Sequence, residues 1–217
     1  RCLGEDRAGV METLVQAVAR HGRERPTALA LADDRVRLTW AEVDEWTERA
    51  AGWLGAQGMD RGQTVVGWLP NGAEWYLLRL ACERAGLFWI PVPASQGERE
   101  LSAIVDRARP ALLVTADRFR DRGLAGLADA ACATLGVGPR RLTIAADRLA
   151  RLDGPTLPES AALELDEPAH SLPTTGSEGI PKLAVYTLGA ACLRAHAQVP
   201  LLKIVPNDVF LVLSPGT

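Results

Sequence analysis

Lysine is almost missing from this 217-residue chain: of 24 basic residues, only Lys182 and Lys203 are lysines. A compact ammonium is therefore a rare resource here, and one placed beside glycines and hydroxyls draws notice. Excess charge of either sign is lacking too. A formal charge of −3 offers no electrostatic footing for nucleic acid or an anionic membrane. No apolar run reaches the roughly 18 residues that a membrane span needs. The first ten residues are charged and have no apolar centre, so they do not form a secretory leader. They read as an extension ahead of Met11, and a cytoplasmic location is expected. The four cysteines (Cys2, Cys82, Cys132 and Cys192) lie far apart without CxxC spacing. Cys82 and Cys192 fall in apolar helical patterns, which favours reduced, packed thiols over zinc ligands or disulfides. His21, His170 and His196 form neither HxxxH nor HExxH, so no residue is assigned to a metal.

What remains is an ordinary soluble composition, 47% hydrophobic and 24% charged, with length for one domain or one and a half. Residues 11–22 have the spacing of a short helix. Asp33-Asp34-Arg35 reads as a hairpin turn between short strands at 28–32 and 36–38. Thr39 has Glu42 three residues on, a capping box. Behind it, Val43, Trp46, Ala50, Trp53 and Leu54 recur at helical spacing until Gly58. Tryptophans at that spacing belong to a core rather than to a ligand platform.

An alternation then begins. Compact apolar strands are expected at 64–69, 87–92, 111–115 and 142–145, with helices at 73–85, 98–108 and 119–135 between them. Solid apolar strands alternating with helices predict an α/β fold, a doubly wound, mostly parallel sheet flanked by helices. Residues 153–168 hold three prolines and little periodicity, and read as a surface connection. Beyond lie a short segment at 169–173, a glycine-rich loop, a strand at 183–187, a helix from about Ala190 that Pro200 ends or kinks, and a strand at 209–213. The division expected is an extension at 1–10, an α/β subdomain at 11–152, the connection at 153–168, and the truncated start of a second subdomain at 169–217. A buried strand so near the last residue suggests a chain cut within a domain.

The loop reads Thr174-Thr175-Gly176-Ser177-Glu178-Gly179-Ile180-Pro181-Lys182. Its two glycines let backbone N–H groups approach a ligand without an intervening Cβ. Successive N–H groups in such a bend form an anion-binding nest. The hydroxyls of Thr174, Thr175 and Ser177 add donors, and Lys182 adds a positive charge. The parts suit a polyphosphate, although composition alone fits a hydroxyl-rich surface loop equally well. Neither a Walker A motif nor a Gly-x-Gly-x-x-Gly fingerprint is present.

The loop resembles the phosphate-binding signature of the adenylate-forming superfamily, roughly Thr-Ser-Gly-Thr-Thr-Gly-x-Pro-Lys. Upstream segments agree in order and spacing. "LTWAEV" at 38–43 is similar to the family's "LTYAEL", and "GQTVVGWLP" at 62–70, with Asn71 and Glu74, to "GDRVALLLPNSPE". "ACERAGLFWIP" at 81–91 is similar to "ACLRAGAVVVP". The resemblance runs from Met11 onward. Within the family, Glu98-Arg99-Glu100-Leu101, Arg109-Pro110-Ala111-Leu112-Leu113 and Pro181-Lys182-Leu183 look most like siderophore aryl-acid–AMP ligases. Three departures stand out. Glu178 replaces a hydroxyl residue and brings an anion that must point away from triphosphate or meet Mg²⁺. Leu188 stands where histidine is usual, and Pro173 falls inside an expected strand.

The resemblance implies the N-terminal part of the large domain of an ATP-dependent, AMP-forming acid ligase. Such an enzyme activates a carboxylic acid, here an aryl acid by the closer likeness, as an acyl-adenylate. It then passes the acyl group to coenzyme A or to the pantetheine of a carrier protein. ATP and Mg²⁺ are the implied cofactors. Thr174, Thr175, Gly176, Ser177, Gly179 and Lys182 would hold the β- and γ-phosphates, with Glu178 among them in the loop. The family's adenine-stacking motif, ribose aspartate, acid pocket and catalytic lysine would follow Thr217, so the missing C-terminal part is itself an implied partner. The chain alone is expected to be inactive. The alternatives are a non-catalytic nucleotide-binding or interaction module derived from that fold, and an unrelated α/β nucleotide-binding protein.

Overall fold

In a computed structural model, residues 11–136, 138–144, 152–174 and 182–212 are described. Local hydrogen bonding explains where the first helices begin. Thr13 caps α1 (Leu14–Glu24) and Thr39 caps α2 (Trp40–Ala56), each through a reciprocal capping box. The Glu42 carboxylate accepts the Thr39 backbone N–H at 2.8 Å, so two orphan donors are satisfied together. Between the helices, β1 (Leu29–Ala32) and β2 (Arg37–Thr39) form the expected hairpin.

Its turn reaches further than the sequence suggested. Asp33 accepts from the backbone of Arg35, Val36 and Ala73 at 2.8–2.9 Å. Ala73 opens α3 (Ala73–Arg84), whose own cap is Gly72, without a side chain. A carboxylate from a distant turn thus caps the helix. Burial alone would raise the Asp33 pKa; the three N–H donors and Arg35 outweigh it and hold it at about 2.

The main sheet grows from β3 (Thr64–Leu69), β4 (Phe88–Pro93) and β5 (Leu112–Ala116). The short pair β6 (Arg118–Phe119) and β7 (Arg122–Gly123) follows. The sheet is completed by β8 (Arg140–Ile144), β9 (Pro168–Thr174) and β10 (Lys182–Thr187), in the order β10-β9-β4-β3-β5-β8. Every neighbouring pair is parallel except β9 with β10. The chain steps from β3 to β4 through α3, then returns past β3 to β5 through α4 (Glu98–Ala108) and on to β8 through α5 (Leu124–Leu135). Right-handed crossovers in opposite directions put α3 on one face and α4 and α5 on the other. Two cores result. Val65 and Trp89 point into the core with Leu54, Leu77 and Leu78; the next residues along, Val66 and Ile90, point into the core with Leu101 and Leu124. The doubly wound, mostly parallel α/β architecture is the one expected.

Two segments differ from the sequence reading. The helix expected over 119–135 begins only at Leu124, because Arg120 takes a left-handed φ of 55° and turns the chain into the β6–β7 hairpin. The strand expected at 209–213 is not formed over 209–212. Val209 and Leu211 are 92% and 80% exposed, and no sheet neighbour among the described residues supplies a ladder; Leu213 lies outside them. The segment from residue 169 onward contributes β9 and β10 to the same sheet as β3–β5, followed by α6 (Leu188–Leu202), with Pro200 inside its last turn.

The connection after Leu152 is irregular, as expected, but firmly held. Arg61 clasps it, donating to Glu167 and to the carbonyls of Ser160, Ala161 and Ala162. Gly154 lies directly on α2: a Cβ there would stand 2.1 Å from the Gly52 carbonyl carbon and the Trp53 nitrogen. Neither atom can yield without moving the helix. Gly154→Ala should therefore lower stability by about 1–3 kcal/mol, the usual range for overpacking. Urea unfolding of variant and parent measures this; equal midpoints would contradict the contact.

Candidate phosphate-binding site

The strands around the loop fix where it leaves the fold. β9 runs parallel to β4, with Trp89 opposite His170, and four residues further along each strand lie Pro93 and Thr174. β10 returns antiparallel, and Lys182 pairs with Thr174 to close the hairpin. Thr174 and Lys182 therefore lie at the carboxyl end of β4 and β3, whose ends are tied by the Ala94 N–H donating to the Leu69 carbonyl at 3.0 Å. Open α/β sheets bind ligands at that end, next to the point where strand order reverses. Here the order reverses about β3.

Of the residues singled out in the sequence, Thr174 ends β9 and Lys182, exposed, begins β10. Thr175, Gly176, Ser177, Glu178 and Gly179 lie outside the described residues. The two departures that can be followed have structural explanations. Leu188 is 1% exposed and packs with Leu163, Ala169 and Cys192 in a small core beneath α6. A buried leucine there anchors the helix. Pro173 is the penultimate residue of β9 and faces Leu183, near the strand end where a missing N–H costs least. Cys82, Cys132 and Cys192 are free and buried. Among the described residues, no group of His, Cys, Asp or Glu is arranged to hold a metal ion, and no helix is long and apolar enough to cross a membrane.

Sequence reasoning did not find a second feature, a cleft of about 330 Å³ between α3 and α6. Its floor is the β4–β9–β10 face carrying Trp89, His170 and Tyr186, and Arg79 and Arg194 line its sides. The His170 and Tyr186 rings, paired across the strands, stack at 5.3 Å and 9°. Burial, then the charges of Arg79 and Arg194, push His170 down to about 4, so the ring is neutral at pH 7. The alternation of His170 with Leu172 and of Tyr186 with Ala184 was readable once the hairpin was assumed; nothing local announced the arginines. A larger cavity, about 480 Å³, opens at the opposite end of the sheet beside Gly58, Arg109 and Pro139. It lies away from the loop, at the amino ends of β5 and β8.

Residues 18–216 match the family described as AMP-binding enzyme. The chain belongs to that family. This AMP-binding chain is 29% identical over 210 residues to pseudomonine synthase PmsE of Pseudomonas entomophila (strain L48), covering 88% of the chain and 34% of that protein. It is 25% identical over 203 residues to the medium-chain fatty-acid–CoA ligase of Escherichia coli (strain K12), covering 89% of the chain and 36% of the ligase. The apo structure of Mycobacterium smegmatis MbtA superposes with a TM-score of 0.75 or better, namely 0.78, at 27% identity, covering 95% of the chain and 39% of MbtA. The chain thus spans about a third of the length of these two curated relatives. Family membership removes the reading of an unrelated α/β nucleotide-binding protein.

The depressed His170 pKa has a consequence for folding. The unfolded ring, near 6.5, binds a proton that the folded ring resists down to about 4. Its contribution to stability is therefore complete above pH 6.5 and lost as pH falls toward 4. Histidine ring NMR should show His170 titrating near 4, and His170→Gln should flatten the stability profile across that window. A His170 midpoint at or above 6.5 would contradict the geometry.

Proposed function

We propose that the chain is the N-terminal part of an ATP-dependent, AMP-forming acid ligase whose phosphate loop is 174–182. The observation that supports this reading is the β9–β10 hairpin, whose strand ends Thr174 and Lys182 lie at the carboxyl end of the parallel strands in a chain of the AMP-binding family. In the reaction, a carboxylate oxygen of the acid attacks the α-phosphorus of ATP. The bond to the β,γ-pyrophosphate breaks, leaving an acyl-adenylate. A thiolate then takes the acyl group and AMP departs.

The loop's part is to hold the leaving pyrophosphate in line and to spread its charge. Backbone N–H groups around Gly176 and Gly179 and the hydroxyls of Thr174, Thr175 and Ser177 act as donors, and Lys182 as cation. Mg²⁺ would enter with ATP and shield the triphosphate, and Glu178 would turn toward that ion or away from the phosphates. The fatty-acid–CoA ligase among the relatives supports coenzyme A as acceptor, and the family resemblance leaves the pantetheine of a carrier protein as the other thiol. The aryl-acid motifs favour an aromatic carboxylic acid as substrate, and the setting is cytoplasmic.

Binding of ATP to the purified chain, followed by titration calorimetry, tests the loop. Losing one charge-assisted contact of about 1.5–3 kcal/mol should make Lys182→Ala bind at least about tenfold more weakly. Lys203→Ala, remote from the loop in sequence, should bind as the parent does. Equal affinity for Lys182→Ala and the parent would remove the assignment. In ATP–pyrophosphate exchange the 217-residue chain should show no turnover alone; robust turnover would mean that the adenylating machinery is already complete in it.

A further inference from the structure

We infer that Arg122 is a positioning residue for the polyphosphate site: it clamps the turn that follows β4 and so fixes the sheet end at which Thr174 and Lys182 stand. The inference rests on the proposed assignment of 174–182 as the phosphate loop. Arg122 belongs to β7, in the hairpin that a left-handed Arg120 makes after β5. From there it reaches across the end of β3. Its guanidinium carbon lies 5.3 Å from the centroid of the buried Trp68 ring. Nη1 donates to the Ala94 carbonyl at 3.1 Å, and Nη2 donates to the Gln96 carbonyl at 3.0 Å. A planar guanidinium can stack on a ring and donate two forked bonds together, which a point-like ammonium does poorly.

Buried carbonyls need donors, and those at this end of the sheet are taken one by one. The Leu69 carbonyl accepts from Ala94, the Pro93 carbonyl from Gln96 and the Gly97 carbonyl from Leu101, each from a backbone N–H. The carbonyls of Ala94 and Gln96 accept from Arg122. β4 lies between β9 and β3, and β5 lies beyond β3. Arg122, which follows β5, therefore engages both oxygens from the side away from β9. A carbonyl oxygen is the negative end of its dipole and repels a phosphate. An arginine that occupies two of them and adds a full positive charge lowers that repulsion where the anion would sit.

Packing carries the constraint to the residues that flank the loop. Trp68, Val92 and Ala94 belong to one buried cluster, and Leu183 packs against it. Leu183 directly follows Lys182 and pairs with Pro173, the residue before Thr174. A shift of the turn after β4 thus disturbs the footing of both Thr174 and Lys182. Binding groups work only when their supports hold them to about 0.5 Å.

ATP titrated calorimetrically into the purified 217-residue chain tests this, with urea midpoints measured beside it. Arg122→Gln should bind ATP about tenfold more weakly, the loss expected when one charge-assisted contact goes. Arg84→Gln breaks a partly buried ion pair with Asp44, between α3 and α2. It should lower the urea midpoint and leave ATP affinity unchanged, which separates lost stability from lost position. Amide spectra give the second readout. Pyrophosphate should shift Ala94, Lys182 and Ser95, the exposed residue of the turn, in the parent, and should shift them less in Arg122→Gln at the same concentration. Parental ATP affinity in Arg122→Gln, or an equal loss in Arg84→Gln, would overturn the inference, while a weakened Lys182→Ala would keep the phosphate-loop assignment standing. A parent chain that binds no ATP would remove that assignment and this inference with it. Should Arg122→Gln fail to fold, Arg122→Lys keeps the charge but gives up the forked donation. It should still bind ATP about threefold more weakly, the worth of one ordinary hydrogen bond; parental affinity there would overturn the clamp.

Discussion

The parallel pairing of β9 with β4 is the contact on which the functional geometry rests. It joins two segments 81 residues apart at Trp89 and His170 and decides which end of the sheet receives the loop. Were β9 antiparallel to β4, the same motif would emerge beside Gly58 and Pro139, among the amino ends of the strands. The pairing is held from both sides. Arg61 fixes the approach to β9 by gathering three carbonyls and Glu167, and the Leu188 core seats α6 behind it.

That arrangement links packing to chemistry. β3 and β4 are buried on both faces, which makes their carboxyl ends rigid platforms rather than mobile tips. Beside them, Gly67 opposes Pro91, and a Cβ at Gly67 would meet the Trp89 ring at 2.0 Å. The absent side chain lets the indole lie across β3 and form the cleft floor. A glycine inside a buried strand thus has a specific reason, namely the close approach of a large ring.

Local signals were legible in the sequence and long-range ones were not. Thr39 with Glu42 announced α2 because the capping box closes within four residues. The alternation from 64 to 115 announced the parallel sheet because each apolar run is buried whichever strand it meets. The hydroxyl- and glycine-rich motif was visible from residue types, and the placement of its flanking residues Thr174 and Lys182 follows from the β9–β4 register. No local pattern could reveal that Asp33 caps α3 across forty residues, or that Arg79 and Arg194 converge. The β6–β7 hairpin was hidden because Phe119 continues an apolar spacing that a left-handed Arg120 interrupts. The apolar run at 209–212 read as a buried strand from composition, yet a strand requires a neighbour, and none of the described residues offers it one.

On the proposed reading, a polyphosphate anion meets this chain at the carboxyl end of β3, β4 and β9. Mapping backbone amide shifts on addition of pyrophosphate to the isotopically labelled chain tests it directly. The largest changes should fall at Lys182 and at the ends of β3 and β4, around Leu69 and Ala94. Changes centred instead on Met59, Ala111 and Gly138, at the amino ends of the strands, or no changes at saturating pyrophosphate, would contradict the account.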